Sequence, residues 1–313
     1  MHLTLLSPVG MLLLTACVAQ PLPTTVRSSS QAIETASDVV RSTPTDVSRD
    51  AALLQAALQR EVPHSTSDPP GKDAAWLKRA QATIAAAGYS IDQPQLLVVV
   101  DRNPAVQQMR IVLAQPGAPW QVIGGTKVST GQAGRRGYFI TPIGVFLHTD
   151  AIVDYRALGT FNENHIRGLG VKGMRVWDFG WQQADRGWVA NADPAEIRLL
   201  MHATDPDYLE QRLGRPASQG CIRIPAAMNR FLDAHGVLDL DHERAARDDP
   251  RFAAVLLLLL CHNFWCCIVR WQQGHRGRVC ANVMAILTLS VAMELRTWRS
   301  GRIGRSTGSV TMG

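Results

Sequence analysis

Short apolar segments between residues 95 and 204 constrain the fold of this chain most, because each has the length and composition of a β-strand. Most contain runs of valine, leucine and isoleucine, and the last alternates apolar and polar side chains. They cover residues 96–102, 109–115, 120–131, 138–149 and 196–204. Together they predict a mainly β domain over residues 95–240, with flanking helices.

Helical patterns lie on both sides of these segments. Apolar residues and alanines recur at helical spacing over 49–60 and 73–87, and the same spacing followed by a glycine marks 226–236. The sequence therefore predicts a helical segment over residues 51–94 before the β domain and one helix near the end of that domain. Residues 150–190 are rich in aromatic side chains and show no clear period, so we expect loops there.

The N-terminus carries an apolar run that ends in Leu14-Thr15-Ala16-Cys17. This pattern resembles a bacterial lipoprotein signal, in which the cysteine is lipidated and becomes the new N-terminus. Residues 1–17 are the expected signal, and residues 18–50, rich in Ser, Thr and Pro, are an expected tether. An ordinary cleaved signal or a short buried helix is the alternative, because no lysine or arginine precedes the run.

The lipoprotein resemblance implies a location as well as an anchor. A lipidated Cys17 would hold the protein in the cell envelope, on the periplasmic side, through acyl chains in a membrane. Val18 stands after the cysteine, where the usual inner-membrane retention signal has an aspartate. The resemblance therefore favours the outer membrane.

The tail, residues 241–313, differs in composition from the rest of the chain. Residues 270–313 contain seven arginines and one acid, which accounts for the net charge of +6. The remainder is balanced and has no basic stripe, so no nucleic-acid partner is predicted. Two apolar segments interrupted by polar residues indicate a peripheral helix, a single membrane span or a segment read out of frame. Cysteines at 261, 266, 267 and 280 match no usual zinc spacing, so no metal is predicted.

Cys221 is the one cysteine between Cys17 and Cys261, so the β domain has no disulfide framework of its own. Its thiol is either a packed core group, half of a longer-range disulfide or a nucleophile. A free thiol with a pKa of about 8.5 is mostly protonated at neutral pH and needs a base to become a nucleophile. His202, on the polar face of the alternating segment, is the candidate base.

The residues around this cysteine resemble a known catalytic motif. The chain reads His202, fifteen residues, then Ser218-Gln219-Gly220-Cys221-Ile222-Arg223. This is similar to the L,D-transpeptidase catalytic domain of the YkuD family, as are the upstream segments VSTG (128–131) and TPIG (141–144). The resemblance covers roughly residues 95–240 and implies a β-sandwich catalytic domain.

The family resemblance also implies roles and partners. Cys221 is the expected nucleophile, His202 its base, Gly220 and Ser218 the residues that shape the loop and oxyanion contacts, and Arg223 a substrate-binding or loop-orienting residue. The implied substrates are peptidoglycan stem peptides: a donor tetrapeptide is cleaved after its third residue and joined to an amine through a thioester. This chemistry needs no cofactor. Protein partners are not predicted.

One position departs from the family pattern: Gln219 stands where a histidine is usual. A glutamine cannot titrate, so His202 is left as the base. Two other functions therefore stay open beside transpeptidation. One is a hydrolase of the L,D-carboxypeptidase or endopeptidase type on the same fold, and the other is a non-catalytic wall-binding lipoprotein.

Several further side chains have two interpretations each. His148 and His165 are either solvated loop residues or part of the cleft lining. The aromatic stripe of Trp177, Phe179 and Trp181 is either core packing or a platform for glycan or peptide.

Overall fold

The computed structural model describes residues 44–66, 70–257 and 283–287, and the structural statements below refer to these residues. Cys17 and the predicted signal lie outside them, as do the four cysteines of the tail. Across the described ranges, no helix combines the length and the apolar character that crossing a bilayer requires.

The elements follow the chain in an order that the sequence largely predicts. The helices are α1 (Pro44–Glu61), α2 (Pro70–Ala86), α3 (Ala226–Ala234), α4 (Leu240–Ala245) and α5 (Pro250–Leu257). The strands are β1 (Gln95–Asp101), β2 (Gln108–Ala114), β3 (Gln121–Lys127), β4 (Gly144–Leu147), β5 (Tyr155–Arg156), β6 (Arg175–Ala184), β7 (Ala195–Ala203), β8 (Ile222–Ile224) and β9 (Val283–Leu287). α1 begins ahead of the expected boundary at residue 51, so the end of the predicted tether is helical.

The first sheet has the strand order β3-β2-β1-β9-β4. Neighbouring strands are antiparallel except β1 and β9, which are parallel. Every residue of β1 is buried, because α2 covers one face of the strand and the shared core lies against the other. Burial on both faces explains why this strand is a continuous apolar run in the sequence.

The second sheet has the order β5-β6-β7-β8. It corrects the expectation of loops over residues 150–190, since β6 is a ten-residue strand. The sequence pattern did not reveal this strand because its buried residues include Arg175 and Asp178, which interrupt the apolar pattern. A bulge between Asp178 and Trp181 then shifts the alternation.

The two sheets share one core. Side chains of the first sheet, such as Val98 and Ile111, belong to the same buried cluster as Leu199, Met201 and Ile222 of the second. α1 and α3 contribute to this cluster from its margins. The prediction of a mainly β sandwich with flanking helices is confirmed.

Parts of the predicted tail belong to this body. α4 and α5 pack on each other after α3. β9 lies between β1 and β4, and its Met284 and Ile286 enter the shared core. The domain therefore extends beyond residue 240, while residues 258–282 and 288–313 of the tail, with the predicted span or out-of-frame segment, lie outside the described residues.

A buried charge cluster joins β6 to the segments around α3 and α4. Arg175, fully buried, contacts Asp154 at 2.8 Å, Asp239 at 3.0 Å and Asp233 at 3.4 Å. Arg156 also pairs with Asp233, so three carboxylates face two guanidinium groups, and one negative charge remains for a further cation to compensate. His148 lies in position to supply it.

His148 is buried, so both interpretations from sequence, cleft lining and solvated loop, are wrong for this residue. Its Nδ1 lies 2.6 Å from the Leu238 carbonyl oxygen and its Nε2 lies 2.9 Å from Asp154 Oδ2. Because both ring nitrogens face acceptors, both must carry a proton. Burial lowers the pKa of His148, but the Asp154 carboxylate outweighs this effect and the pKa is raised.

Ligand atoms of His148, Asp239 and His242 lie within 4.8 Å of one another, a spacing that metal ligands also show. In this protein the nitrogen atoms that could bind a metal make hydrogen bonds instead. Arg175 Nη2 lies 3.1 Å from His242 Nδ1, and both ring nitrogens of His148 are hydrogen-bonded to oxygen atoms. The guanidinium supplies the positive charge that a metal would bring. The group is a structural ion cluster.

Candidate active site

The site is built on the face of the second sheet that points away from the shared core, called the outer face below. On β7, Leu199 and Met201 enter the core, so Leu200 and His202 point to the outer face. β8 runs parallel to β7 and pairs His202 with Arg223. One residue before β8, Cys221 lies beside Leu200, whose N–H is directed at the thiol.

His202 and Cys221 are thus diagonal neighbours on two adjacent strands, on the same face. Such diagonal positions lie about 7 to 8 Å apart at the backbone, within reach of side-chain contact. Within the described residues, the structure has no hydrogen bond between the two. The parallel β7–β8 pairing therefore brings the predicted pair to one surface without joining it in the resting state.

The Cys221 loop is held by hydrogen bonds with its own residues and with the upstream motifs. Ser218 is buried, and its Oγ donates to the Cys221 carbonyl oxygen at 2.5 Å and accepts from the Gly220 N–H at 3.1 Å. The Ser218 N–H donates to the Thr130 carbonyl oxygen at 3.0 Å. Thr141 Oγ donates to the Gly220 carbonyl oxygen at 2.7 Å. The segments VSTG and TPIG thus support the cysteine loop directly.

Gly220 is required by geometry. Its φ of +130° lies in a region that side-chain-bearing residues rarely adopt. A Cβ at this position would also lie 2.7 Å from Ile197 Cδ1. Because its N–H is donated to Ser218, Gly220 contributes here to the shape of the loop.

The Cys221 thiol is free and half-buried. Its Sγ lies 4.0 Å from the Arg198 carbonyl oxygen. Burial raises the pKa of the thiol above its ordinary value, although the Leu200 N–H and the charge of Arg223 act in the opposite direction. At neutral pH the resting group is therefore the thiol, not the thiolate.

His202 is buried and neutral. Burial lowers its pKa to about 4, against a smaller raising effect of the Ala203 carbonyl, and the charge of Arg223 lowers it further. Its Nδ1 lies 2.8 Å from that carbonyl oxygen, so the single proton of the neutral ring is on Nδ1. Nε2 therefore carries a lone pair that can accept a proton.

Arg223 lies opposite His202 in the β7–β8 register, and its charge acts on both His202 and Cys221. Its Nη1 donates to the Ala217 carbonyl oxygen at 3.2 Å, a contact that orients the cysteine loop. Among the described residues no carboxylate pairs with it, and its buried Nε has no hydrogen-bond partner. Burial lowers the pKa of its guanidinium, an effect that Cys221 offsets in part when it is a thiolate.

Comparison with known families agrees with this geometry. The family model of the L,D-transpeptidase catalytic domain, YkuD, matches residues 91–237, slightly less than half of the chain. No curated protein matches the chain. The matched range ends just after α3, so it contains β1 to β8 and every residue of the candidate site.

Within the matched range, the residue that departs from the family pattern, Gln219, has an exposed side chain. Its carbonyl oxygen accepts from the Phe139 N–H at 3.3 Å. The backbone of Gln219 therefore keeps a place in the loop, although its side chain cannot titrate.

The structure adds residues to the candidate site that sequence reasoning missed: Tyr155, Asp178 and Arg198. Asp178 lies opposite Leu200 in the register, and Arg198 is two residues before Leu200 on the same outer face. Burial, Asp178 and Cys221 raise the pKa of the Tyr155 phenol, so it stays protonated beside the thiol. Strand alternation could have indicated Arg198, because it lies four residues before His202 on the same strand and therefore points to the same face.

The remaining predicted side chains divide between core and surface. Trp177 and Phe179 are buried in the shared core, whereas Trp181 is 62% exposed. The bulge in β6 separates them, so the expected stripe does not lie on one face. His165 is exposed in a loop, as its solvated interpretation predicts.

Proposed function

We propose that this protein is a peptidoglycan L,D-transpeptidase that acts through a thioester on Cys221, with His202 as the base. One observation carries the proposal: a free, half-buried thiol shares the outer face with a neutral imidazole whose Nε2 has an available lone pair. Domains of this family act on peptidoglycan stem peptides, which gives the substrate class.

The protonation states favour a proton transfer during attack. With a raised thiol pKa and a lowered imidazole pKa, a resting thiolate–imidazolium pair is disfavoured. When the substrate carbonyl arrives, Nε2 of His202 takes the thiol proton as Sγ bonds to the carbonyl carbon. The charge of Arg223 stabilises the developing thiolate.

Collapse of the tetrahedral intermediate breaks the scissile C–N bond and leaves a thioester on Cys221. His202 returns its proton to the departing amine, here the terminal D-alanine. An acceptor amine then attacks the thioester, its proton passes to His202, and the thiol is restored with a new amide bond. Since the Gly220 N–H is donated to Ser218, the Cys221 N–H is the proposed oxyanion donor.

A muropeptide assay tests the proposal. The native protein and the Cys221→Ala variant are incubated side by side with stem tetrapeptide and an amine acceptor. We expect a new amide-linked product with the native protein and none with the variant. Free tripeptide without an amide-linked product would show that the protein is a hydrolase and not a transpeptidase.

The remaining alternative, a non-catalytic wall-binding lipoprotein, is tested by a different measurement. A carbapenem is an acyl donor, and intact-mass spectrometry after exposure to it detects a covalent adduct. We expect one adduct on the native protein and none on Cys221→Ala. An unmodified native thiol, together with binding to purified peptidoglycan, would indicate a wall-binding lipoprotein.

We propose further that Cys17 carries a lipid anchor that holds the domain on the periplasmic side of the envelope, with the outer membrane favoured. Support comes from the apolar run that ends in Leu14-Thr15-Ala16-Cys17 and from Val18 after it. Metabolic labelling with a radioactive fatty acid should mark the native chain and not Cys17→Ser. Equal labelling of both, or of neither, would refute the anchor.

A further inference from the structure

Trp181 places a large aromatic ring on the outer face, beside the candidate site. It lies opposite Arg198 in the β6–β7 register, and Arg198 shares that face with Leu200 and His202. Trp181 is 62% exposed. Single exposed apolar side chains are common on protein surfaces, so exposure alone does not indicate a ligand. Two further observations, the support of the ring and its distance from the Cys221 thiol, indicate one.

The Trp181 ring is held from one side. Arg198 Cζ lies over the ring, 5.6 Å from its centroid. Nε of Arg198 donates to both carboxylate oxygens of Asp178 at 2.9 Å, and its Nη2 lies 2.8 Å from Asp178 Oδ2. Asp178 is buried and accepts from the Gly180 N–H at 2.9 Å. A fixed guanidinium therefore covers one face of the indole, and the exposed area belongs to the other face and the edge. A ring that is already oriented loses little conformational entropy when a ligand packs on it.

The groups around the ring favour a polar ligand without a net charge. Arg198 is paired with Asp178, so the cation beside the ring is balanced. Gln183 and Glu196 face each other two residues from Trp181 and Arg198 on the same strands, and both are exposed on the outer face. Sugar rings present C–H groups that pack on the electron-rich face of an aromatic ring. The amide, carboxylate and guanidinium groups next to Trp181 can exchange hydrogen bonds with the hydroxyl groups at the edge of a sugar.

The distance from Trp181 to the thiol fits a sugar that carries a stem peptide. Cys221 lies beside Leu200 on the next strand, so two strand spacings and two residue steps separate it from Trp181. This is about 12 Å at the backbone. In peptidoglycan each stem peptide begins on a sugar of the glycan strand, and the scissile carbonyl of the proposed donor belongs to the third residue. Three extended residues span about 10 Å, and the group that links them to the sugar adds to this length.

We propose that Trp181 and Arg198 form a subsite for the sugar that carries the donor stem peptide, so that the domain takes its donor as part of a glycan rather than as a free peptide. This inference rests on the proposed function and deepens it. The open face of the Trp181 ring packs on the sugar. Nη1 of Arg198, which no hydrogen bond or ion pair engages within the described residues, donates to a hydroxyl. The stem peptide then crosses β7 on the outer face and reaches Cys221.

The test compares two donors with the same tetrapeptide, one attached to its disaccharide and one free, with one amine acceptor. We expect the native protein to favour the disaccharide donor by about 3- to 10-fold in kcat/KM, the range for one aromatic contact. Trp181→Ala should bring this ratio close to one, and Trp181→Phe should keep part of it because an aromatic ring remains. Each variant's rate with the free tetrapeptide is its internal reference.

Leu53→Ala is the matched control. Leu53 is also apolar and 63% exposed, but it lies on α1, which packs on β3 of the first sheet. Its ratio should equal the native one. A native ratio in Trp181→Ala, with both donors slowed equally, would show that the ring contacts the peptide and not the sugar. That result, or a native ratio near one, would overturn the inference and leave the transpeptidase proposal intact.

A binding measurement separates the subsite from the chemistry. Calorimetric titration of Cys221→Ala with the disaccharide tetrapeptide gives a Kd without turnover. We expect the added Trp181→Ala change to raise this Kd by about 3- to 10-fold and to leave the Kd of the free tetrapeptide within twofold. That difference in a protein whose native form makes no product would support the subsite and refute transpeptidation. Equal Kd values with and without Trp181 would overturn the subsite.

Discussion

The buried charge cluster gives a stability prediction whose size follows from the structure. Asp154 Oδ2 accepts from His148 at 2.9 Å and from Arg175 at 2.8 Å, and its Oδ1 accepts from the Asp178 N–H at 2.9 Å. Burial alone raises the pKa of this carboxyl, but His148 and Arg175 lower it from 3.8 to about 2. The shift corresponds to about 2 to 3 kcal/mol of stability at neutral pH.

Asp154→Asn removes the charge and leaves two buried cations facing a neutral amide. Loss of one partner of a buried pair typically costs about 3 to 5 kcal/mol. We therefore expect the free energy of unfolding to fall by about 3 to 5 kcal/mol and Tm to fall by about 10 °C. Urea and thermal unfolding followed by circular dichroism at pH 7 measure both quantities.

The pH dependence gives the sign of the effect. A lowered carboxyl pKa contributes stability that is present above the ordinary pKa of 3.8 and is lost as pH falls towards about 2. The difference in free energy of unfolding between the native protein and Asp154→Asn should therefore become smaller below pH 4. Asp207→Asn, whose carboxyl is 58% exposed and pairs with Arg167, is the matched control and should leave unfolding unchanged. Equal stabilities of the native protein and Asp154→Asn at pH 7 would refute the reasoning.

Two further predictions concern the site. Gly220→Ala should unfold at a lower temperature and react more slowly with a carbapenem, because Gly220 has a φ of +130° and the new Cβ would contact Ile197. Gly134→Ala is the control: its φ is +83° and no atom lies within 4 Å of the new Cβ, so it should lose stability without a slower reaction. A native acylation rate in Gly220→Ala would refute the role of that geometry. The acylation rate should stay constant as the pH is lowered past 6.5 and should fall only near pH 4, because burial lowers the pKa of His202 to about 4. A fall in rate centred near pH 6.5, in protein that stays folded, would contradict this prediction.

Most strands and helices follow from local patterns in the sequence. Residues 196–204 alternate because one face of β7 is buried, and β1 is a continuous apolar run because both of its faces are buried. β6 could not be predicted in the same way. Its buried charges, Arg175 and Asp178, are paired with residues far along the chain, and a single-residue bulge shifts its alternation.

The site was predicted in part. The spacing of His202 and Cys221 indicated a catalytic pair, and the parallel β7–β8 register brings the two to the same face. Local sequence cannot show that Asp178 pairs with Arg198, because that contact depends on the β6–β7 register. The buried place of His148 was missed for a related reason: one of its partners, Asp154, is six residues away across a loop, and the other, the Leu238 carbonyl, lies ninety residues further along the chain.

β9 shows how composition can hide a strand. It lies in a tail rich in arginine and cysteine, and no local signal marks it as part of the first sheet. Its place between β1 and β4 depends on pairing with strands that precede it by more than a hundred residues. Long-range pairing of this kind is the least accessible feature of a sequence.

The rate at which a carbapenem acylates Cys221, followed by intact-mass spectrometry in the native protein and in His202→Gln, tests the central claim most directly. General-base assistance contributes about 100- to 10,000-fold, so the variant should react at least about a hundredfold more slowly while its circular dichroism spectrum stays native. Equal rates in the two folded proteins would show that this imidazole does not activate the thiol.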